Sequence, residues 1–558
     1  MSFINKNTRP FYSIPLLLFV LILCAALLTS GCTTPEEPGA QEQEPPDDEE
    51  TEQLEGSVKQ DVDFDDPQII RLEGPNAGFP SPFAHYPRMR GTVMKYIFDS
   101  LLEIDEEDYI PWLAKDWEIS DNGKEHLVTL RSGVKWQDGE EMTVEDVVFS
   151  FEYYQEYPPV FIGEEVMDRD FLISIEAVAD NQVKFVTAEP SGTFYSEAGI
   201  MRIIPKHIWK DIEDPYEFTE PEAAMGCGPY ILTDYSQEHN TYRYEAYEDY
   251  WGPDQAVDVL EMIPVSEEVL ALESGEIDLS RIPPDVAPRF EENPEFKVET
   301  SPAFAGYLLS FNMNDHELFD DNRFRQAFTY AINKEDLIEK TARRGAKPGS
   351  PGILPEDHRW YNPQIKHYGY DPEKAEDILK ELGVNEEKTF ELLVGEGVEV
   401  RIGEALKEQL AIVGVDLNIV ALDRQSRDSR AFDGEYEIAL LAMGSWGLDA
   451  DWLRIRYASG GDETAGGGSA TALLGAGQGF SSEQLDHLFE KQRQKTDPDK
   501  RKQIVFEIQE LLAETTPEIP LYNGFYYYAY RPDHYGGWIF MFDHPVMEHA
   551  KLSFLDRE

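Results

Sequence analysis

"FELLVGEGVEVRIGEALKEQLAIVGVDLNIVAL", residues 390–422, decides the fold. Its first five residues form a short apolar run, "IGEALKEQLAIVG" (402–414) spaces its apolar side chains at helical intervals, and "VDLNIVAL" (415–422) returns to strand character. Strand, helix and strand in that order predict a parallel pair, because a helical crossover is what joins parallel neighbours. The same rhythm runs upstream, in the strand "YLLSFNM" (307–313) and the helices "NRFRQAFTYAI" (322–332) and "DPEKAEDILKELG" (371–383). From about residue 301 the chain therefore reads as α/β with a mostly parallel sheet. Next comes "YEIALLA" (436–442), apolar enough for a strand buried on both faces. It leads into "MGSWGLDADW" (443–452). Ligands of open α/β sheets sit in the crevice beyond the carboxyl ends of the strands, which makes this loop a candidate binding segment.

A chain of 558 residues exceeds one ordinary core, so two or three domains are expected. The hydrophobic fraction of 41% and aromatic fraction of 12% mark a packed protein rather than a disordered one. At the N-terminus, Lys6 and Arg9 precede "IPLLLFVLILCAALL" and then "TSGC", the pattern of a secretory signal over residues 1–32. "LTSGC" resembles a lipobox in which Cys32 becomes the lipidated first residue, although Thr29 stands where leucine is usual and Leu28 sits one place further back. An uncleaved anchor is the alternative, since residues 11–28 nearly span a bilayer. Either way the expected location is the outer face of the cytoplasmic membrane. Residues 33–60 carry ten acids, one lysine and four prolines, the composition of a solvated tether.

Net charge is -61, and with tether and signal set aside the body from 61 to 558 still carries -54. Phosphates would be repelled by so uniform an excess, which argues against nucleic acid as a partner. It fits a surface adapted to high salt, where screening relieves self-repulsion. If Cys24 leaves with the signal and Cys32 is acylated, only Cys227 remains, so no internal disulfide forms and Cys227 reads as a small buried hydrophobe. Between 61 and 200, short strands such as "HLVTLRSGVKW" and turns such as "DNGK" and "QDGEE" surround one helix, "TVEDVVFSFEYY" (143–154), with Thr143 as cap and Asp146 three residues on. This part reads as α+β.

"PWLAKDWEISDNGKEHLVTLRSGVKWQDGEEMTVEDVVFSFEYY" (111–154) closely resembles the signature region of family 5 extracellular solute-binding proteins, the receptors of peptide and nickel ABC importers. Six further matches follow in the family's order: "IIPKHIW" at 203, "GCGPYIL" at 226, "YWGP" at 250, "ALESGEIDL" at 271, "FDDNRFRQAFTYAINKEDL" at 319 and "DPEKAEDILKELG" at 371. The resemblance covers essentially residues 66–530, with Cys227 standing where the family usually has threonine. The resemblance implies an α/β, two-lobe periplasmic-binding-protein-like fold of type II, with an extra α+β subdomain in the first lobe. On that basis lobe I comprises 61–95, 196–300 and 525–558, its subdomain 96–195, and lobe II 301–524. It also implies a protein without catalytic chemistry that holds a solute between closing lobes and docks on a membrane permease. An oligopeptide is the expected solute. A nickel chelate or an oligosaccharide is the first alternative, and a surface sensor or hydrolase on the same scaffold the second. The receptor is expected to be a monomer.

In peptide-binding members of the family, a "W-x-x-D" at this strand end supplies an aspartate for the peptide's α-amino group. Here the motif is Trp446, Gly447, Leu448 and Asp449. A carboxylate in a water-poor cleft gives an ammonium a charge-assisted hydrogen bond, and the tryptophan adds an apolar wall or a cation–π contact. The bland readings are that Asp449 and Asp451 cap the next helix, or that they hold a cation without the frame of a calcium loop. Asp451 and Trp452 are expected to cap and pack.

"GFPSPFAHYPRMRG" (78–91) is either a Pro-rich surface loop or a first-lobe wall of the cleft, with Tyr86 as its aromatic and Arg88 or Arg90 meeting a carboxylate. "SPAFAGYLLSFN" at 301 looks like a crossing strand whose Phe304 and Tyr307 face either the cleft or the core. "NGFYYYAYRP" at 523 is expected to be packed sheet, and "GGGSATALLGAGQGF" (466–480) a loop over the cleft rather than a nucleotide site. "SGVK" at 132 matches "S-x-x-K", but no "KTG", "HExxH" or "GxSxG" occurs. The eleven histidines show no metal-ligand spacing, so no metal site and no cofactor are expected.

Overall fold

The computed structural model describes residues 67–74, 77–85, 93–105, 108–159, 166, 168–303, 305–314, 316–343, 345–384, 388–443, 449–459, 479–540 and 551–556. Among them no helix is long and apolar enough to cross a membrane. The expected signal, tether and Cys32 lie outside the described residues.

One sheet has seven strands in the order β12 (Lys297–Thr300), β19 (Tyr527–Tyr530), β11 (Leu279–Ile282), β1 (Ile69–Glu73), β10 (Val259–Ile263), β9 (Thr241–Ala246) and β8 (Tyr230–Ser236). Beside it stand a two-stranded ribbon, β2 (Leu102–Ile104) with β3 (Tyr109–Pro111), and a four-stranded sheet. The latter runs β4 (Ala114–Ile119), β5 (Glu125–Leu130), β7 (Gln182–Thr187), β6 (Leu172–Ala179). The third large sheet has six strands, β14 (Ala346–Pro348), β18 (Glu518–Gly524), β13 (Ala305–Phe311), β17 (Ile438–Met443), β15 (Thr389–Gly395) and β16 (Asp416–Leu422). We call the bodies around the seven- and six-stranded sheets the first and second lobes, and the four-stranded sheet with its helix the subdomain.

Two strands join the lobes. β12 pairs antiparallel with β19 up to Thr300 opposite Tyr527, and the ladder resumes as β13 against β18 at Ala305 opposite Gly524. Between them the Ser301 amide donates to the Tyr526 carbonyl at 2.8 Å, so the crossing pair stays tied through the boundary. Close packing of the pair needs a glycine at 306, where a Cβ would stand 1.7 Å from the Tyr522 carbonyl oxygen.

The crossing also corrects the expectation of a mostly parallel sheet. Among the described strands of the six-stranded sheet only β17 with β15 and β15 with β16 are parallel neighbours, because β13 runs antiparallel to both β17 and β18. β13 enters its lobe from the boundary and must run away from it, whereas β15, β16 and β17 each arrive from a helix on the sheet's flank. "YEIALLA" is continuously apolar because both faces are covered. Leu440 packs with Leu309 and Leu392 on one side, and Leu441 packs with Leu308 and Leu393 on the other.

In the subdomain, the helix Val144–Glu156 starts as its sequence suggests. The Asp146 carboxylate accepts the Thr143 amide at 2.8 Å and hydroxyl at 2.9 Å, and its other oxygen accepts the Lys206 amide at 2.9 Å, tying "TVED" to "IIPKHIW". Cys227 is fully buried, and burial pushes its thiol well up. The aromatic run at 523 is packed sheet, with Tyr528 and Tyr530 buried. Residues 77–85 are not a surface loop: Phe83 and His85 are both 3% exposed, and Phe83 packs against Tyr153, Tyr154 and Trp209.

Candidate functional site

β17 ends at Met443, and after residues outside the description the chain reappears at Asp449. Its side chain is 19% exposed and already has cationic company. Arg501, on the helix Pro498–Thr515, donates Nη1 to Oδ2 at 2.6 Å and Nη2 to Oδ1 at 2.5 Å, while the Asp451 amide donates to Oδ1 at 2.8 Å. The last bond is an Asx turn, so part of Asp449's capacity goes to shaping its own loop. Two parallel bonds from one guanidinium fix the carboxylate in direction as well as in charge.

Arg501 is 4% exposed at its side chain, and each edge of its guanidinium is used. Nε donates to Gln492 Oε1 at 2.8 Å, and Nη1 also donates to the Gly192 carbonyl at 3.1 Å, in the segment that follows β7 of the subdomain. Its plane lies 4.9 Å from the centre of the Trp360 ring, within cation–π range. Asp451 occupies the N-cap position of the helix Trp452–Tyr457 but makes no side-chain cap. Its carboxylate instead accepts Arg454 Nε at 3.0 Å and Gln492 Nε2 at 2.5 Å. Burial works against that charge, but Arg454, Arg493 and Arg501 outweigh burial and hold the Asp451 carboxyl below its usual range. Capping is lost because stronger charged partners lie within reach.

A second pair joins the second lobe to the β2–β3 ribbon. Arg359, next to Trp360, donates Nη2 to Asp108 Oδ2 at 2.9 Å, from a second-lobe loop to the turn between β2 and β3. Burial disfavours the Arg359 cation, while Asp108, and after it Asp449, favour it enough to raise its pKa. Carboxylates and guanidiniums thus alternate where the subdomain and the β2–β3 ribbon meet the second lobe.

Tyr307 lies on β13 opposite Ala442 of β17 and Tyr522 of β18, near the strand end that leads to Asp449. It is half-buried against the second-lobe core, edge-on to Tyr522 at 5.6 Å between ring centres, and burial raises its hydroxyl pKa. Nearby, Glu399 Oε2 accepts the Gly395 amide at 2.6 Å and Arg427 Nη1 at 2.9 Å, buttressing the carboxyl end of β15. Burial raises the Glu399 pKa against the pull of Arg427. Of the residues expected at the site, Asp449 and Tyr307 are described, and Trp446, Gly447, Phe304, Tyr86, Arg88 and Arg90 lie outside the described residues. Sequence reasoning passed over Arg501, Arg359, Trp360, Glu399 and Arg427. The available signal was composition: with 48 cationic side chains against 109 acidic ones, an arginine withdrawn from the surface has a specific partner.

Comparison with known proteins gives this arrangement its setting. The family model of bacterial extracellular solute-binding proteins, family 5, matches residues 108–465. A dipeptide-binding protein of Escherichia coli is 31% identical over 380 residues, 62% of this chain and 70% of that one. Heme-binding protein A of Haemophilus influenzae is 27% identical over 387 residues, 64% and 69% of the two chains. In three dimensions the ABC transporter substrate-binding protein CtaP of Listeria monocytogenes superposes with a TM-score of 0.72 at 25% identity, over 84% of this chain and 94% of that one. A model match over more than half the residues and a shared two-lobe architecture lead to one conclusion: the chain belongs to the family 5 bacterial extracellular solute-binding proteins, the solute-capturing components of ABC importers.

Proposed function

We propose that the solute is a short oligopeptide with a free α-amino group, that Asp449 receives its ammonium, and that the protein hands it to an ABC permease at the outer face of the cytoplasmic membrane. The observation that carries this reading is the pairing of both charge signs around Asp449: Arg501 on its carboxylate, and Arg359 with Asp108 beside it. A peptide is a zwitterion, and a site of alternating sign suits it better than it suits a simple anion or cation. Trp446 and Gly447 would form the wall beside the ammonium, with Tyr307 and Phe304 at the crossing strand and Tyr86 and Arg88 from the first lobe. The receptor acts as a monomer held by a lipid on Cys32, with lobe boundaries at 300/301 and 524/525. Similarity to the dipeptide-binding protein of Escherichia coli supports the choice of solute.

One observation favours a second reading. Arg501 already engages both oxygens of Asp449, so the pair would be a brace, and the solute, a nickel chelate for example, would bear no ammonium. Calorimetry with trialanine and N-acetyl-trialanine separates the two. Binding of the free peptide with loss on acetylation is expected; equal binding of both, or of neither, overturns the peptide-amine reading. Mass spectrometry of the solute that co-purifies gives its identity directly.

A further inference from the structure

The contact between subdomain and second lobe rests on main chain as well as on charge. The Gly192 amide donates to the Arg493 carbonyl at 2.5 Å, and the Gly192 carbonyl accepts Arg501 Nη1 at 3.1 Å. Arg493 ends the helix Glu483–Arg493, whose last carbonyls have no partner within the helix, so the Gly192 amide meets a local excess of negative partial charge. A Cβ at 192 would lie 2.0 Å from the Lys495 carbonyl oxygen and 3.3 Å from Arg501 Cδ. Gly192 is not among the glycines with positive φ, so its backbone conformation suits any residue, and what excludes a side chain is the other lobe. Beside it Gly123, in the turn between β4 and β5, would bring a Cβ to 3.1 Å from Thr496 Cγ2, so the same second-lobe loop is approached twice.

We propose that Gly192 and Arg501 form the closure latch of this receptor: the bare backbone at 192 lets the subdomain seat on residues 493–496, and Arg501 ties that seat to Asp449. Arg501 is thus a positioning residue. One guanidinium holds the carboxylate proposed to meet the solute and the carbonyl that closes only when the lobes meet, so occupancy at Asp449 and closure bear on the same group. A main-chain latch is indifferent to a solute's side chains, and it lets solutes of varied sequence close the receptor alike. The latch rests on the solute-binding reading but not on the solute being a peptide.

Hydrogen–deuterium exchange of the full chain, followed by mass spectrometry, tests it. In wild-type protein the amides of 191–196 and 490–497 should be protected. Gly192→Ala should speed exchange on both faces by about tenfold or more while segments within each sheet keep their rates. Arg501→Lys keeps the charge beside Asp449 but cannot bond both partners with one planar fork, and should loosen the same two segments. Faster exchange throughout Gly192→Ala would mean unfolding, and Arg501→Lys then decides. Exchange in 191–196 and 490–497 equal to wild type in the deciding variant, with or without trialanine, overturns the latch. Trialanine that does not bind while these segments still respond to the variants would overturn the peptide reading and leave the latch standing.

Discussion

Replacing Asp449 by asparagine removes one negative charge and one acceptor oxygen from a group bonded, among the described residues, by Arg501 and the Asp451 amide. A carboxylate offers about four acceptor positions. Among the described residues Arg501 takes two and the Asp451 amide a third, leaving one for a solute ammonium. In Asp449→Asn one of the two atoms facing Arg501 becomes an N–H donor, so one charged hydrogen bond inside the protein and the one to the ammonium are both lost. A hydrogen bond to a charged group contributes about 1.5–3 kcal/mol. For the solute this amounts to roughly 10- to 150-fold in Kd. Folding stability should fall on a similar scale, because Arg501 is only 4% exposed and would keep Gln492 and Gly192 but lose half of its carboxylate. Affinity must therefore be measured well below the unfolding temperature of the variant. Calorimetric titration of trialanine, with circular dichroism to confirm folding, separates the two losses. A Kd for Asp449→Asn within about twofold of wild type would refute the assignment of the ammonium to Asp449.

Three further outcomes follow from other parts of the chain. Lys551 is fully buried between Asp99 and Glu103, at 2.5 Å from the latter, and Lys551→Met would strand two buried carboxylates at a cost of about 3–5 kcal/mol, read as a lower urea midpoint at neutral pH. Burial opposes both charges of the Lys551–Glu103 pair, yet the pairing raises the Lys551 pKa and lowers that of Glu103. The lysine's contribution is complete below its ordinary pKa and fades as pH rises through the raised one, and the glutamate's fades as pH falls through the lowered one. A Lys551→Met urea midpoint equal to wild type would sink this account. Cys32→Ser should release the protein from the membrane or leave its signal uncleaved, and a mature wild-type mass without lipid would count against acylation. With -54 on the body, urea midpoints should rise from low to multimolar salt, and a flat dependence would remove the argument for a salt-adapted surface.

The sequence carries the parts of the fold that depend on local period. "FELLV", the 402–414 helix and "VDLNIVAL" all form, because alternation and helical spacing are properties of neighbouring residues. The helix spans Val398–Ala411, beginning and ending earlier than the 402–414 stretch, since the turn at Gly397 sets where it can start. The antiparallel course of β13 was not legible, because nothing in "YLLSFNM" records the direction from which a strand enters its sheet.

Charge partners show the same division more sharply. Asp146 takes the role its spacing announces, since its partner lies three residues away. Asp449 does not stand alone as its motif suggests, since Arg501 is 52 positions downstream, and the Gly192 carbonyl that Arg501 also bonds lies 309 positions from that arginine, toward the N-terminus. Contacts at such separation are set by which elements the core brings together, so no local pattern can name them. The total composition still bears on them. Acids outnumber cations by more than two to one, so an arginine left at the surface would find a carboxylate almost anywhere. Taking one out of water costs free energy that a surface ion pair returns poorly, which makes burial of Arg501 unfavourable unless its geometry is specific. The bidentate pair with Asp449, the Gln492 bond and the Gly192 carbonyl supply that geometry, and together they make the arginine's place, rather than the aspartate's motif, the stronger structural argument for where the receptor closes.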